Sequence, residues 1–160
     1  PIAAPGEEER SHHYLWRFAT RMPPKGTIAI FDRSWYGRVL VERVEGYASA
    51  KEWQRAYDEI NGFERMHSDD GVTMVKFFLH IDEKTQLERF KERERDPIKN
   101  FKIGPDDWRN RKKWGDYEQA YQDAFDRTHR PDAPWVIVPA NDKRAARLKV
   151  LQTAIDALDA

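Results

Sequence analysis

Apolar positions along the chain fall into short unbroken runs and into longer stretches with helical spacing. The runs "KGTIAIFD" (Lys25–Asp32), "GVTMVKFFLHID" (Gly71–Asp82) and "PWVIVPAND" (Pro134–Asp142) each have a continuous apolar centre. That is the pattern of a parallel strand buried on both faces. Between the runs the period changes. Glu7 to Phe18 carries helical apolar spacing ending in "YLWRF". Ser49-Ala-Lys-Glu52 has the form of a capping box and predicts a helix that runs to about Met66. Asp82 is placed to cap a helix from Glu83 to Arg95, and further helices are predicted over Asp116 to Arg130 and Lys143 to Ala157. Strands alternating with long helices predict an α/β layered domain with a parallel sheet flanked by helices.

Composition narrows the class without changing this picture. The 160 residues are 39% hydrophobic and 35% charged, as in a single globular domain. There is no cysteine, which excludes a disulfide scaffold and thiolate ligation and agrees with a reducing, cytoplasmic setting. No apolar run approaches the length that spans a membrane, and no signal-peptide pattern precedes the first charged cluster at Glu7–Arg10. The formal net charge is zero, but it is unevenly spread. From Arg89 to Trp114 there are ten Lys/Arg against five Asp/Glu, leaving 18 basic and 23 acidic residues elsewhere. A polyanion docking at one place accounts for such a block, and a solvated surface segment is the competing reading.

Candidate chemistry gathers at "FDRSWYGRVL" (Phe31–Leu40). Ligands of open parallel sheets sit at the carboxyl ends of the strands, and Asp32 ends the first run. An apolar strand closing on Asp has the form of a Walker B element, whose carboxylate holds Mg²⁺ beside phosphate oxygens. An ordinary helix N-cap is the alternative. Arg33, Arg38 and Arg43 crowd the same turn, with Glu42 and Glu45 among them. Guanidinium groups suit phosphate, so the cluster points to phosphoryl chemistry. Trp35 and Tyr36 are read as packing.

A second group lies in the basic block. Arg89 and Arg93 form an i,i+4 pair of like charge on the predicted Glu83–Arg95 helix, which an anion between them would relieve. "DPIKNFK" ends that helix before Pro97 and sets Lys99 and Lys102 on a loop. The interrupted, positively lined segment at about 89–114 has the make-up of a lid closing over phosphates. Trp108 and Trp114 among basic residues fit single-strand nucleic acid less well than they fit a core. The histidines lack metal-site spacing. Asp69-Asp70-Gly71 reads as a turn, and Asn141-Asp142-Lys143 as a cap or a nucleotide-base contact.

Taken together, these segments resemble the polyphosphate kinase 2 family, with "IFDRSWYGRVLVERVEGY" similar to its Walker B segment. "ERFKERERDPIKNFKIGPDDWRNRKKWGDYEQAY" resembles its lid, "APWVIVPANDKRAARLKVL" its closing strand and helix, and "EEERSHHYLWRF" the helix ahead of the Walker B strand. The resemblance implies a P-loop kinase fold of the thymidylate-kinase type with a helical lid. It also implies Mg²⁺-dependent phosphoryl transfer between inorganic polyphosphate and a nucleotide, AMP or ADP, with the AMP-phosphorylating branch the nearest. By position it makes Asp32 the Mg²⁺-side aspartate and Arg33 and Arg38 phosphate-side arginines, with Arg89, Arg93, Lys99 and Lys102 as lid contacts. A fused second domain or a homo-oligomer is expected as partner, and neither a membrane nor nucleic acid. One departure stands out: no G-x-x-x-x-G-K Walker A loop occurs in the 160 residues. The resemblance places that loop, and the strand carrying it, ahead of Pro1, so these residues alone are expected to be inactive. An ATP-dependent nucleoside or nucleotide kinase, or a non-catalytic polyphosphate- or nucleic-acid-binding domain, remain alternatives.

Overall fold

In a computed structural model describing residues 1–159, the chain divides into two compact units. The first comprises Pro1–Val72 with Gln119–Thr128, and the second Thr73–Glu118 with the chain from His129 onward.

The first unit is helical. The helix expected over Glu7–Phe18 is two short ones, α1 (Glu7–Ser11) and α2 (Trp16–Ala19). The break falls at His12, whose extended backbone ends α1 and whose ring stacks on Trp16 at 4.2 Å. A 3₁₀ turn at Trp35–Arg38 leads into α3 (Val41–Glu45), which Gly46 ends at a φ of 76°, open to glycine without strain. The long helix α4 (Ala50–Asp69) starts as its sequence predicts: the Ser49 N–H and hydroxyl both donate to Glu52, at 2.8 and 2.7 Å. Its apolar stripe, Ala56, Tyr57, Ile60 and Phe63, is buried together with Phe18, Trp35, Tyr36 and Val39. The rings of Phe18, Phe31 and Phe63 all meet Trp35 edge-on, 5.1–5.7 Å between centroids.

The strand expected over Lys25–Asp32 is not formed. Residues 27–31 run without regular structure, and Ile28 and Ile30 are 70% and 89% exposed. A parallel strand exists only through its ladder. Among the described residues nothing ladders with this stretch, and its one long-range backbone bond runs from Ile2 N–H to the Asp32 carbonyl, 2.9 Å.

The second unit holds a two-stranded parallel sheet. Strand β1 (Lys76–His80) pairs with β2 (Trp135–Pro139) in the register Lys76↔Trp135 to His80↔Pro139. Both strands are shorter than the apolar runs that predicted them, and burial on both faces is incomplete, Leu79 and Ile137 being 58% and 54% exposed. Between them come α5 (Glu83–Arg95), a 3₁₀ turn at Asn100–Lys102, α6 (Pro105–Lys112) and α7 (Trp114–Thr128), whose last residues join the first unit. Helix α8 (Lys143–Leu158) follows β2, and Val138, Ala140 and Ala146 form the small core with Phe77, Ile81, Val136 and Val150 around them. The predicted caps are in place: Asp82 accepts from Thr85 N–H at 2.6 Å, and Asp142 from Arg144 and Ala145 N–H at 2.7 and 3.1 Å. No helix among the described residues is long and apolar enough to cross a membrane.

Candidate phosphate site

The turn from Asp32 to Arg38 is built on the aromatic cluster beneath it. Phe31 and Trp35 pack into that cluster, which leaves Asp32 and Arg33 on the surface between them. The Asp32 carboxylate is exposed and takes no hydrogen bond or ion pair among the described residues, so it does not cap a helix. Arg33 has a φ of 68°, the one non-glycine residue described with positive φ. For a bulky side chain this left-handed conformation is strained, and such strain collects at functional turns.

Arg38 is positioned differently. Its guanidinium lies over the Tyr14 ring at 4.5 Å and pairs with Glu42 at 3.1 Å, while its Nε is buried with no hydrogen-bond partner. Burial, and then the Glu59 carboxylate nearby, push the Tyr14 phenol far above its ordinary range, so it stays protonated. Arg43 is engaged within the fold. It donates to the Tyr57 hydroxyl at 3.0 Å and to Asp123 at 2.6 Å, and it stacks over Trp53 at 4.2 Å. Burial would raise the Asp123 carboxyl, but the hydrogen bonds from Arg43 and Gln119 outweigh it and hold it below the usual range. Arg43 thus ties α3 to α7, and its expected place as a phosphate contact competes with these bonds.

In the second unit, Arg89 donates to the carbonyls of Ala140 and Asn141, at 2.9 and 2.8 Å, bracing the chain as it leaves β2. Its expected role of sharing an anion with Arg93 therefore competes with carbonyl bonds. The Asn141 side chain donates to Asp82 at 2.6 Å, and Asp82 N–H returns a bond at 3.1 Å. An open hollow of about 560 Å³ lies between α5 and the start of α8, lined by Arg89, Glu92, Lys143 and Arg144 among others. The helix ends at Arg95 as the proline predicts. Asp96 then accepts from Ile98 N–H and pairs with Lys99, which lowers the Asp96 carboxyl and raises the Lys99 amine. Lys102 sits at the end of the 3₁₀ turn near the Phe101 ring and, like Arg93, forms no ion pair among the described residues. The residues named in the sequence therefore form two groups, one in each unit.

Residues 1–160 match the family model described as "Polyphosphate kinase 2 (PPK2)". The chain belongs to the polyphosphate kinase 2 family. It is 60% identical over 159 residues to a Polyphosphate:AMP phosphotransferase of Pseudomonas syringae pv. tomato and 41% identical over 150 residues to an ADP-polyphosphate phosphotransferase 2 of Rhizobium meliloti. A crystal structure from Pseudomonas aeruginosa PA01 assigned to polyphosphate kinase 2 superposes with a TM-score of 0.96 at 57% identity, and one from Arthrobacter aurescens TC1 with 0.95 at 43%. These structures bear out the expected fold class: a helix-rich α/β fold of the polyphosphate kinase 2 kind, consistent with a P-loop kinase. Each match takes in 94–99% of this chain. The chain spans 32% of the Pseudomonas syringae relative and 34% of the Pseudomonas aeruginosa structure, about a third of each.

Three residues around this candidate site carry no role in the sequence reading: Tyr14, Glu64 and Asp123. Glu64 had a readable signal, since it lies four residues after Ile60 on the otherwise apolar stripe of α4. Tyr14 and Asp123 meet their arginines only through long-range packing, and no spacing along the chain announces them.

Proposed function

We propose that this chain is the lid-bearing part of a polyphosphate:nucleotide phosphotransferase that converts AMP to ADP. The observation that carries the reading is the exposed, unengaged Asp32 carboxylate followed directly by the strained Arg33. Family membership over all 160 residues supports it. AMP is the proposed acceptor because the relatives at 60% and 58% identity are named Polyphosphate:AMP phosphotransferase, whereas the ADP-named relative is at 41%.

The reaction moves one phosphoryl group. An AMP phosphate oxygen attacks the terminal phosphorus of polyphosphate in line. The anhydride P–O bond breaks, and its electron pair leaves on the shortened polymer. The acceptor oxygen is already anionic, so no strong general base is needed, and catalysis rests on positioning and charge neutralisation. Asp32 suits Mg²⁺, which is held by one or two carboxylates together with substrate phosphates rather than by an all-protein cage. Among the described residues no group of three or more His, Cys, Asp or Glu is arranged as such a cage, and the free carboxylate at Asp32 fits the lighter arrangement. Mg²⁺ bound there would neutralise phosphate charge. Arg33, the next residue, is exposed, and Arg38 holds its guanidinium against Tyr14 and Glu42 with one N–H uncommitted. Arg93 and Lys102 supply positive charge for the polymer.

A donor-swap assay on the full-length protein tests this. ADP should form from AMP with polyphosphate and only poorly with ATP; the opposite preference would make the protein an ordinary nucleotide kinase.

A further inference from the structure

We infer that Glu64 is a positioning residue that fixes the Asp32–Arg38 turn, an inference that rests on the phosphotransferase reading above. Glu64 is fully buried, at 0% exposure, on α4. One of its oxygens, Oε1, accepts from both Trp35 Nε1 and Tyr36 Oη, each at 2.9 Å. These donors are consecutive residues of the 3₁₀ turn, directly between Arg33 with its positive φ and Arg38. The turn carries its own short bonds, Gly37 N–H to the Ser34 carbonyl at 3.0 Å and Val39 N–H to the Tyr36 carbonyl at 3.1 Å. Its attachment to α4 includes the two aromatic side chains, and Arg38 adds contacts to Tyr14 and Glu42.

A carboxylate is a poor choice for this position if packing is the only need. Its desolvation opposes folding, and an apolar residue of similar size on the same stripe fills the space at less cost. What the carboxylate adds is direction. Both hydrogen bonds meet at one atom, so the indole and the phenol cannot shift independently, and the edge-on contacts of Phe18 and Phe63 with Trp35 hold the indole plane. A strained backbone persists only where its surroundings over-determine it. The Glu64 clasp and the ring cluster supply that constraint for Arg33. The two chemical ends of the turn, the exposed Asp32 with Arg33 and the largely covered Arg38, then keep a fixed spacing. Glu64 itself touches neither substrate nor metal.

The test uses the full-length enzyme with Tyr36→Phe, Glu64→Leu and Glu64→Gln. Tyr36→Phe removes one donor and keeps the ring. Glu64→Gln keeps an oxygen that accepts both bonds. Tyr36→Phe and Glu64→Leu are expected to lower kcat about tenfold with KM for AMP little changed, since misplacement of reacting groups acts on the transition state. Glu64→Gln should stay within about threefold of the wild type. The Trp35 indole N–H resonance should move upfield in Glu64→Leu and hold in Glu64→Gln. If Glu64→Leu does not fold, Tyr36→Phe decides alone. A folded Tyr36→Phe with wild-type kcat, in an enzyme that does use polyphosphate, overturns this inference and leaves the reading of function standing. Failure of the wild type to use polyphosphate overturns both.

Discussion

Arg38 and Arg43 lie five positions apart in one cluster of charges, and the structure gives them different work. Arg43 has two short hydrogen bonds and an indole face, and little of its side chain reaches solvent. Arg43→Gln is expected to lower the free energy of unfolding by about 2 kcal/mol, measured by urea titration. Arg43→Lys should recover little of that, because a lysine cannot bond Tyr57 and Asp123 while stacking on Trp53. Asp32 stood out in the sequence through the arginines that follow it, since Asp82 and Asp142 also close apolar runs and those two cap helices. The division of labour among the arginines was not legible there, because the deciding partners are distant in sequence: Tyr14, in the turn before α2, for Arg38, and Tyr57 and Asp123 for Arg43.

At the scale of elements, local rules served well where the element is local. Both aspartate caps and the Ser49–Glu52 start of α4 sit where the residues put them, and α5 begins and ends on the predicted residues, Glu83 and Arg95. The misses were the Glu7–Phe18 helix, which breaks at His12, and the Lys25–Asp32 strand, whose residues have β propensity but no ladder to join among the described residues. The caps carry a pH signature. The Asp82 carboxyl is held below its ordinary range by bonds from Thr85 and then Asn141, and that of Asp142 by Ala145 and Arg144 N–H. A folded pKa below the unfolded one stabilises the protein above the unfolded value, about 4 for Asp, and this is lost as pH falls through the folded value. Thermal melts should therefore show no loss from these two groups between pH 7 and about 5, then a decline below about 4. Asp82→Asn with Asp142→Asn should keep the caps, as Asn is an equally good N-cap, and reduce the slope of that decline.

For the whole molecule, the family and the α/β class were legible because motifs run in order along nearly the entire chain. The two-unit division was not, because a linear pattern shows which residues want burial and not which of them share a core. The basic block around α5 and α6 belongs to this scale too. Many of its charges are engaged locally, Lys99 with Asp96 and Arg111 with Glu83. Arg93 and Lys102 are therefore expected to carry much of the attraction for a polyanion. Replacing both with Gln should weaken polyphosphate binding several-fold and flatten its dependence on salt, since screened attraction of exposed charges is what salt removes. Calorimetric titration at two ionic strengths reads both effects.

The most direct measurement is the rate at which the full-length Asp32→Asn protein makes ADP from AMP and polyphosphate with Mg²⁺ present. Asn preserves the size of the side chain and removes its charge. Turnover should fall by about 100-fold or more relative to the wild type, while the melting temperature stays close to it. A folded Asp32→Asn protein with near-normal Mg²⁺-dependent turnover would contradict the assignment of Asp32 as the metal-side carboxylate.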